Sequence, residues 1–169
     1  MPETPEGLLA RLAAAGIPAE TRHHPPVFTV AESRHLRGEL PGGHTKNLFL
    51  RPARGEGPYL LATLEEERRI SINLLGRLAG AGKVHMASAE ELQATLGVAP
   101  GSVTPFGLVN AAPGTVRFVM DRRLAEGFAR VWVHPLTNAA STGLAPADLL
   151  RFLAGLGHPC TLLDLPPGA

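Results

Sequence analysis

Apolar residues recur along this chain with two periods, and each period marks its own class of element. Leu8, Leu9, Leu12 and Ala13 share one face of a helix that Thr4-Pro5 opens and Gly16 follows. A short strand is predicted over Glu20–His24, stopped by the prolines at 25 and 26. Thr29 and Glu32 have capping-box spacing and predict a helix that Gly38 closes, and Leu40–His44 (LPGGH) reads as a turn. Thr45–Pro52 alternates as a strand does: Lys46, Leu48 and Leu50 point one way, Asn47, Phe49 and Arg51 the other. Pro58–Leu64 is the next strand, joined through the glycine-rich ARGEG in a hairpin.

Further on, Ile72–Leu78 has helical spacing and ends before GAG, and Lys83–Ala87 is a short strand. Ser88 and Glu91 form a second capping box, before a helix closed by Gly97. Strands are predicted over Val116–Met120, Arg130–Val133 and Ala139–Gly143. Pro146 suits the first turn of a helix over Pro146–Gly155 that packs Leu149, Leu150 and Leu153, and Cys160–Leu165 is a last strand. Helices and strands intermix without a strict β-α-β rhythm, a repeat or a long linker. The prediction is one α+β domain over residues 1–169, built on a mixed sheet.

Composition narrows the setting. A hydrophobic fraction of 44% and a charged fraction of 18% fit a globular chain. No apolar run approaches the ~20 residues that span a bilayer, and the N-terminus lacks the basic and apolar regions of a secretory leader. The single cysteine, Cys160, rules out an internal disulfide and suits a reducing compartment, so a cytoplasmic protein is expected. Net charge is only +1, against bulk coating of nucleic acid. Between residues 34 and 83, however, nine Lys or Arg meet five acids, a local excess that suits either a phosphate backbone or a solvated surface.

Several chemistries lack their motifs. The seven histidines include no H-x-x-x-H beside a glutamate, and there is no C-x-x-C, so no metal site is expected. Phosphate-loop, dinucleotide and nucleophile-elbow patterns are also missing, and no cofactor is implied. Cys160, in an apolar strand, reads as structural.

Three constellations remain. In GGHTKNLFL, Lys46 heads an apolar strand, so a buried ammonium there needs oxygens nearby; otherwise it snorkels to water as a strand-end lysine does. In GVAPGSVTPFGL, Gly101 and Ser102 offer backbone amides that suit a carbonyl oxygen or oxyanion, and Thr104-Pro105 stiffens the exit; the plain alternative is a connector. In VWVHPLTN, His134 ends an apolar strand before a proline and Asn138 adds an amide; the plain alternative is a capped strand end.

Taken in order, HTKNLFL, PGSVTPFGL, VWVHPLTN and the closing DLLRFLAGLGH…LLDL resemble the YbaK/prolyl-tRNA-synthetase-associated domain family, and within it the freestanding ProX-type alanyl-tRNA(Pro) deacylases. The likeness runs from about residue 26 onward. It implies a mixed sheet partly curled into a barrel with helices around it. It also implies hydrolysis of the ester that joins a wrong amino acid to the 3′-terminal adenosine of tRNA. The family's functional lysine matches Lys46, its asparagine Asn47, its loop glycine Gly101 and its strand-end histidine His134. The expected catalytic set is Lys46, Gly101, Ser102 and His134. Phe28, Asn47, Thr104, Phe106 and Asn138 are the expected substrate contacts.

Mischarged tRNA, with Ala-tRNA(Pro) foremost, is the expected partner, and prolyl-tRNA synthetase a second; neither DNA nor a membrane is implied. Two alternatives stand beside this: deacylation of Cys-tRNA(Pro) or another small-residue ester, and a non-catalytic tRNA- or synthetase-binding module on the same fold.

Overall fold

The computed structural model describes residues 1–26, 35 and 38–167. Helix α1 (Pro5–Ala14) starts where Thr4 accepts the Gly7 amide at 3.0 Å, and Leu8 and Leu12 are its buried side. Strand β1 (Ala19–His23) follows, then β2 (Gly43–Pro52) and β3 (Tyr59–Glu65) as an antiparallel hairpin. Next come α2 (Ile72–Leu78), β4 (Val84–Met86) and α3 (Ala89–Leu96). The capping box of α3 is complete. Ser88 Oγ accepts the Glu91 amide at 3.0 Å and the Glu91 carboxylate accepts the Ser88 amide at 2.9 Å. Gly97, at φ 69°, ends that helix in the left-handed conformation. A 3-10 turn spans Pro105–Asn110. The remaining elements are β5 (Val116–Asp121), α4 (Arg122–Gly127), β6 (Val131–Val133), β7 (Ala140–Leu144), α5 (Pro146–Gly155) and β8 (Cys160–Leu163).

Eight strands form one mixed sheet in the order β1-β7-β6-β2-β3-β5-β8, with β4 branching from β2. The β2–β6, β3–β5 and β5–β8 pairs are parallel and the others antiparallel. Alternation along β3 separates two cores. Leu61 faces a larger one shared with Leu8, Leu12, Leu96 and Leu149, while Leu60, Ala62 and Leu64 face a smaller one under α2. β2 follows suit, with Phe49 in the larger core and Leu48 and Leu50 on the smaller.

Strand β2 carries the branch. Its first residues pair with β6, Gly43 beside Val131 and His44 beside Trp132. Its last three pair with β4, Leu50 with Met86 through Pro52 with Val84. Its other edge is paired with β3 from Thr45 to Leu50.

Several expectations need correction. Gly38 does not close a helix: Gly38 and Glu39 are themselves helical. The turn read over Leu40–His44 is shorter, because Gly43 and His44 already belong to β2, where β6 supplies a partner. The 3-10 turn and α4 were not foreseen. Asp121 starts α4 by accepting the Arg123 amide at 3.1 Å, directly from the end of a strand. The Thr29–Glu32 capping box lies outside the described residues.

One buried ion pair ties these elements together. Asp121, 1% exposed, accepts from Arg68 Nε at 2.9 Å and Nη2 at 3.3 Å, and from the Glu65 amide at 3.2 Å. Arg68 also donates to the Leu165 carbonyl at 3.4 Å. Removing one partner leaves the other charge buried and unpaired, so Asp121→Ala should lower stability by about 3 kcal/mol or more in urea unfolding.

Candidate functional site

Lys46 leaves β2 on the face of Leu48 and Leu50, opposite Leu64 in the hairpin register. Its ammonium donates to the backbone carbonyl of Arg68. The carbonyl stands one bond-path from the Arg68–Asp121 pair, so the buried pair holds the oxygen that holds the lysine. Asn47 leaves by the other face, where its side-chain oxygen accepts the Thr63 hydroxyl at 2.6 Å. The two residues that head the HTKNLFL strand therefore do not share a face.

His134 follows β6. The parallel register sets Gly43 beside Val131 and His44 beside Trp132, and the ladder ends there, so His134 leaves β6 two residues past its last partner on β2. His134 Nδ1 lies 3.1 Å from the Ala140 carbonyl. A carbonyl only accepts, so Nδ1 carries the hydrogen and neutral Nε2 keeps its lone pair. Burial holds the imidazole below its ordinary range; the Ala140 bond opposes this and the nearby His24 adds to it.

The Gly101 loop meets this histidine through Thr104, whose hydroxyl donates to the His134 carbonyl at 2.6 Å. Gly101 itself has φ +90°, a conformation that resists any side chain, and a Cβ there would sit 3.7 Å from Asn138 Nδ2. Between His134 and Asn138, Leu136 also takes a left-handed backbone, φ 66°. Two left-handed residues thus shape these loops; glycine adopts that form freely, but at Leu136 it costs energy, and strain of this kind gathers where a loop's form matters more than its stability.

Of the residues expected to act, the structure links Gly101, Thr104, His134 and Asn138 in one loop cluster; Lys46 stands apart from it, its ammonium on the Arg68 carbonyl. It changes the part of others. The Ser102 amide closes a turn on the Ala99 carbonyl at 3.0 Å, so it is not a spare donor. Among the described residues no acceptor meets the Gly101 amide. Thr104 and Phe106 have no exposed surface; the first clamps His134 and the second packs edge-on to Phe152 in the larger core. They support the loop from beneath and are not surface contacts. Phe28 lies outside the described residues.

Sequence reasoning passed over His24 and Ser141, whose side chains meet at 2.9 Å across 117 positions of chain. The only local sign was a histidine before a proline. Among the described residues no three His, Cys, Asp or Glu converge as metal ligands do. Burial pushes the Cys160 thiol up to about 12, which leaves it unreactive. A cavity of about 370 Å³ lies beside the Arg68–Asp121 pair, lined also by Arg122, Glu126 and Leu165. None of the expected site residues lines it.

Comparison with known proteins gives concordant results. The aminoacyl-tRNA editing domain family matches residues 24–152. A prolyl-tRNA synthetase associated domain-containing protein 1 from Bos taurus is 40% identical over 157 residues, covering 91% of each chain. The prolyl-tRNA editing protein ProX of Acetoanaerobium sticklandii is 31% identical over 160 residues, covering 95% of this chain and 96% of that protein. Among solved structures, a candidate trans-editing enzyme for prolyl-tRNA synthetase superposes with a TM-score of 0.70 over 96% of this chain and 97% of the other. At 23% identity that likeness speaks to the fold alone.

The lowered proton affinity of His134 has a thermodynamic sign. As pH falls, the unfolded chain takes up this proton before the folded one does. The stability tied to a neutral His134 is therefore full above the ordinary histidine value of 6.5 and is lost as pH drops toward the native value. An NMR titration should place the His134 midpoint below 6.5; a midpoint above it would contradict the burial.

Proposed function

Because this chain belongs to the aminoacyl-tRNA editing domain family, we propose that it is a trans-editing hydrolase of mischarged tRNA(Pro), with Ala-tRNA(Pro) as its principal substrate. The named relatives support the tRNA(Pro) setting: one is called a prolyl-tRNA editing protein and another carries the synthetase-associated domain name. The observation that carries the reading is the convergence of three separate segments. The Gly101 turn meets the His134–Asn138 loop through the Thr104–His134 bond, and β2, the strand that carries Lys46, pairs with β6 just before His134.

The chemistry asked of this cluster is modest. An aminoacyl ester is already activated, so water attacks its carbonyl carbon without a covalent intermediate. Lys46, positioned by the Arg68 carbonyl, supplies a fixed positive charge for the terminal phosphate or the ester oxygens. The Gly101 amide, without a partner among the described residues, is the donor for the developing oxyanion. Asn138, beside Gly101, orients the substrate. Recognition of tRNA rests on its unpaired 3′ end, where base edges and 2′-hydroxyl are accessible. Prolyl-tRNA synthetase is the natural second partner, and the cytoplasm the natural place for both.

A second sieve is needed because size alone discriminates weakly. Alanine lacks the two outer ring methylenes of proline, and each methylene is worth only ~1–3 kcal/mol in a single pocket. An editing site that admits alanine and refuses proline supplies the missing selectivity.

Deacylation assays with Ala-, Cys-, Ser- and Pro-tRNA(Pro) test the proposal. Ala-tRNA(Pro) should be hydrolysed fastest and Pro-tRNA(Pro) spared; rapid loss of the prolyl ester would end the editing reading. Lys46→Ala and Gly101→Ala should each lower the rate by roughly 10²–10³, the usual cost of one well-aimed stabilising group.

A further inference from the structure

Ser141 and His24 complete a cross-strand row that starts at His134. β6 and β7 pair antiparallel, with Trp132 opposite Gly143 and Val133 opposite Thr142. One step further sets His134 opposite Ser141, on the edge of β6 that faces away from β2. Leu144 packs in the larger core, so Ser141, an odd number of residues away, leaves β7 by the opposite face. That is the face Lys46 takes from β2.

His24 closes the row, its own amide bonded to the Ala139 carbonyl at 3.0 Å. Its Nδ1 lies 2.9 Å from the Pro25 carbonyl, which only accepts, so Nδ1 carries the hydrogen. Neutral Nε2 then holds a lone pair, and the Ser141 hydroxyl, 2.9 Å away, is its donor. A hydroxyl held as donor to an imidazole, with the far nitrogen fixed by a carbonyl, is the arrangement that moves a proton off oxygen. Ser141 is 6% exposed and His24 half-buried, so the pair is only lightly solvated.

We propose that Ser141 meets the attacking water and His24 is the base behind it, an assignment that rests on the deacylase reading above. As water oxygen bonds to the ester carbonyl carbon, its proton passes to Ser141 Oγ while the serine proton passes to His24 Nε2. The tetrahedral intermediate then breaks its bond to the ribose oxygen, which takes the proton back along the same path. Free amino acid and the ribose hydroxyl leave, and serine and neutral histidine are restored. His134 is the competing base, since its Nε2 is also unprotonated when neutral, but its burial weakens its hold on a proton. Among the described residues, the titratable and charged groups placed around His24 are His134, and Arg22 and His23 on the preceding strand.

Single-turnover hydrolysis of Ala-tRNA(Pro) by the full chain, followed from about pH 5 to about pH 8.5, tests the assignment. The wild-type rate should climb with pH and level off. Ser141→Ala and His24→Asn should each lose about a hundredfold or more and replace the plateau with a steady rise with hydroxide. The double variant should be no slower than the worse single one, since the two act as a unit. His23→Asn, at the exposed neighbour, should keep both rate and profile. Wild-type affinity for uncharged tRNA in the variants would show that fold and binding survive. A His24→Asn rate within twofold of wild type, or a plateau lost only in His134→Gln, overturns the assignment and leaves the deacylase reading intact. Trapping of an aminoacyl ester on Ser141 overturns the water role. A wild-type chain that hydrolyses none of the esters fails the deacylase reading and takes this assignment with it.

Discussion

Strand β2 is the constraint on which the other parts depend. It keeps one partner, β3, along most of its length, but its opposite edge is divided between β6 at the start and β4 at the end. A strand with two partners on one edge cannot lie flat in a single sheet, because each neighbour twists away in its own direction. Between Gly43–His44 and Leu50–Pro52 the two ladders separate, and Lys46 lies in that interval. The lysine is thus placed by hydrogen-bond register on both sides, not by its own side-chain contacts alone.

The smaller core secures that placement. Lys46 shares its face with Leu48 and Leu50, which pack under α2 with Leu60, Leu64 and Leu75. At the rim of this core, the Arg68–Asp121 pair fixes the turn after β3 and the exit of β5 together. A buried ion pair adds little net stability compared with an apolar substitute, but it specifies geometry when fully hydrogen-bonded. Here that geometry includes the carbonyl that receives the lysine ammonium.

Local chemistry made most of the fold legible. Ser88 and Glu91 announced α3 because a capping box is complete within four residues, and Pro146 announced α5 for the same reason of short range. Alternation separated the faces of β2 correctly, down to Lys46 with Leu48 and Asn47 with Phe49. What escaped was set by distant partners. Gly43 and His44 read as a turn because only β6 makes them a strand, and α4 begins on a carboxylate already engaged by Arg68. Gly101, His134 and Asn138 stood out as motifs, but not the bond that joins two of their loops, nor that the Ser102 amide closes its own turn. His24 and Ser141 carried no motif at all. A pair 117 residues apart has no signature in either neighbourhood.

The parallel pairing of β2 with β6 joins positions 88 residues apart, as Gly43 with Val131. Contacts of such long range close large loops before they return any binding energy, so they form late and depend on neighbours already in place. The row from His134 through Ser141 to His24 is drawn from both halves of the chain and exists only in the finished sheet. A nascent chain still short of β6 has its lysine strand and its first core elements, but no site to offer. The loop cluster around His134 is complete only at the end of folding.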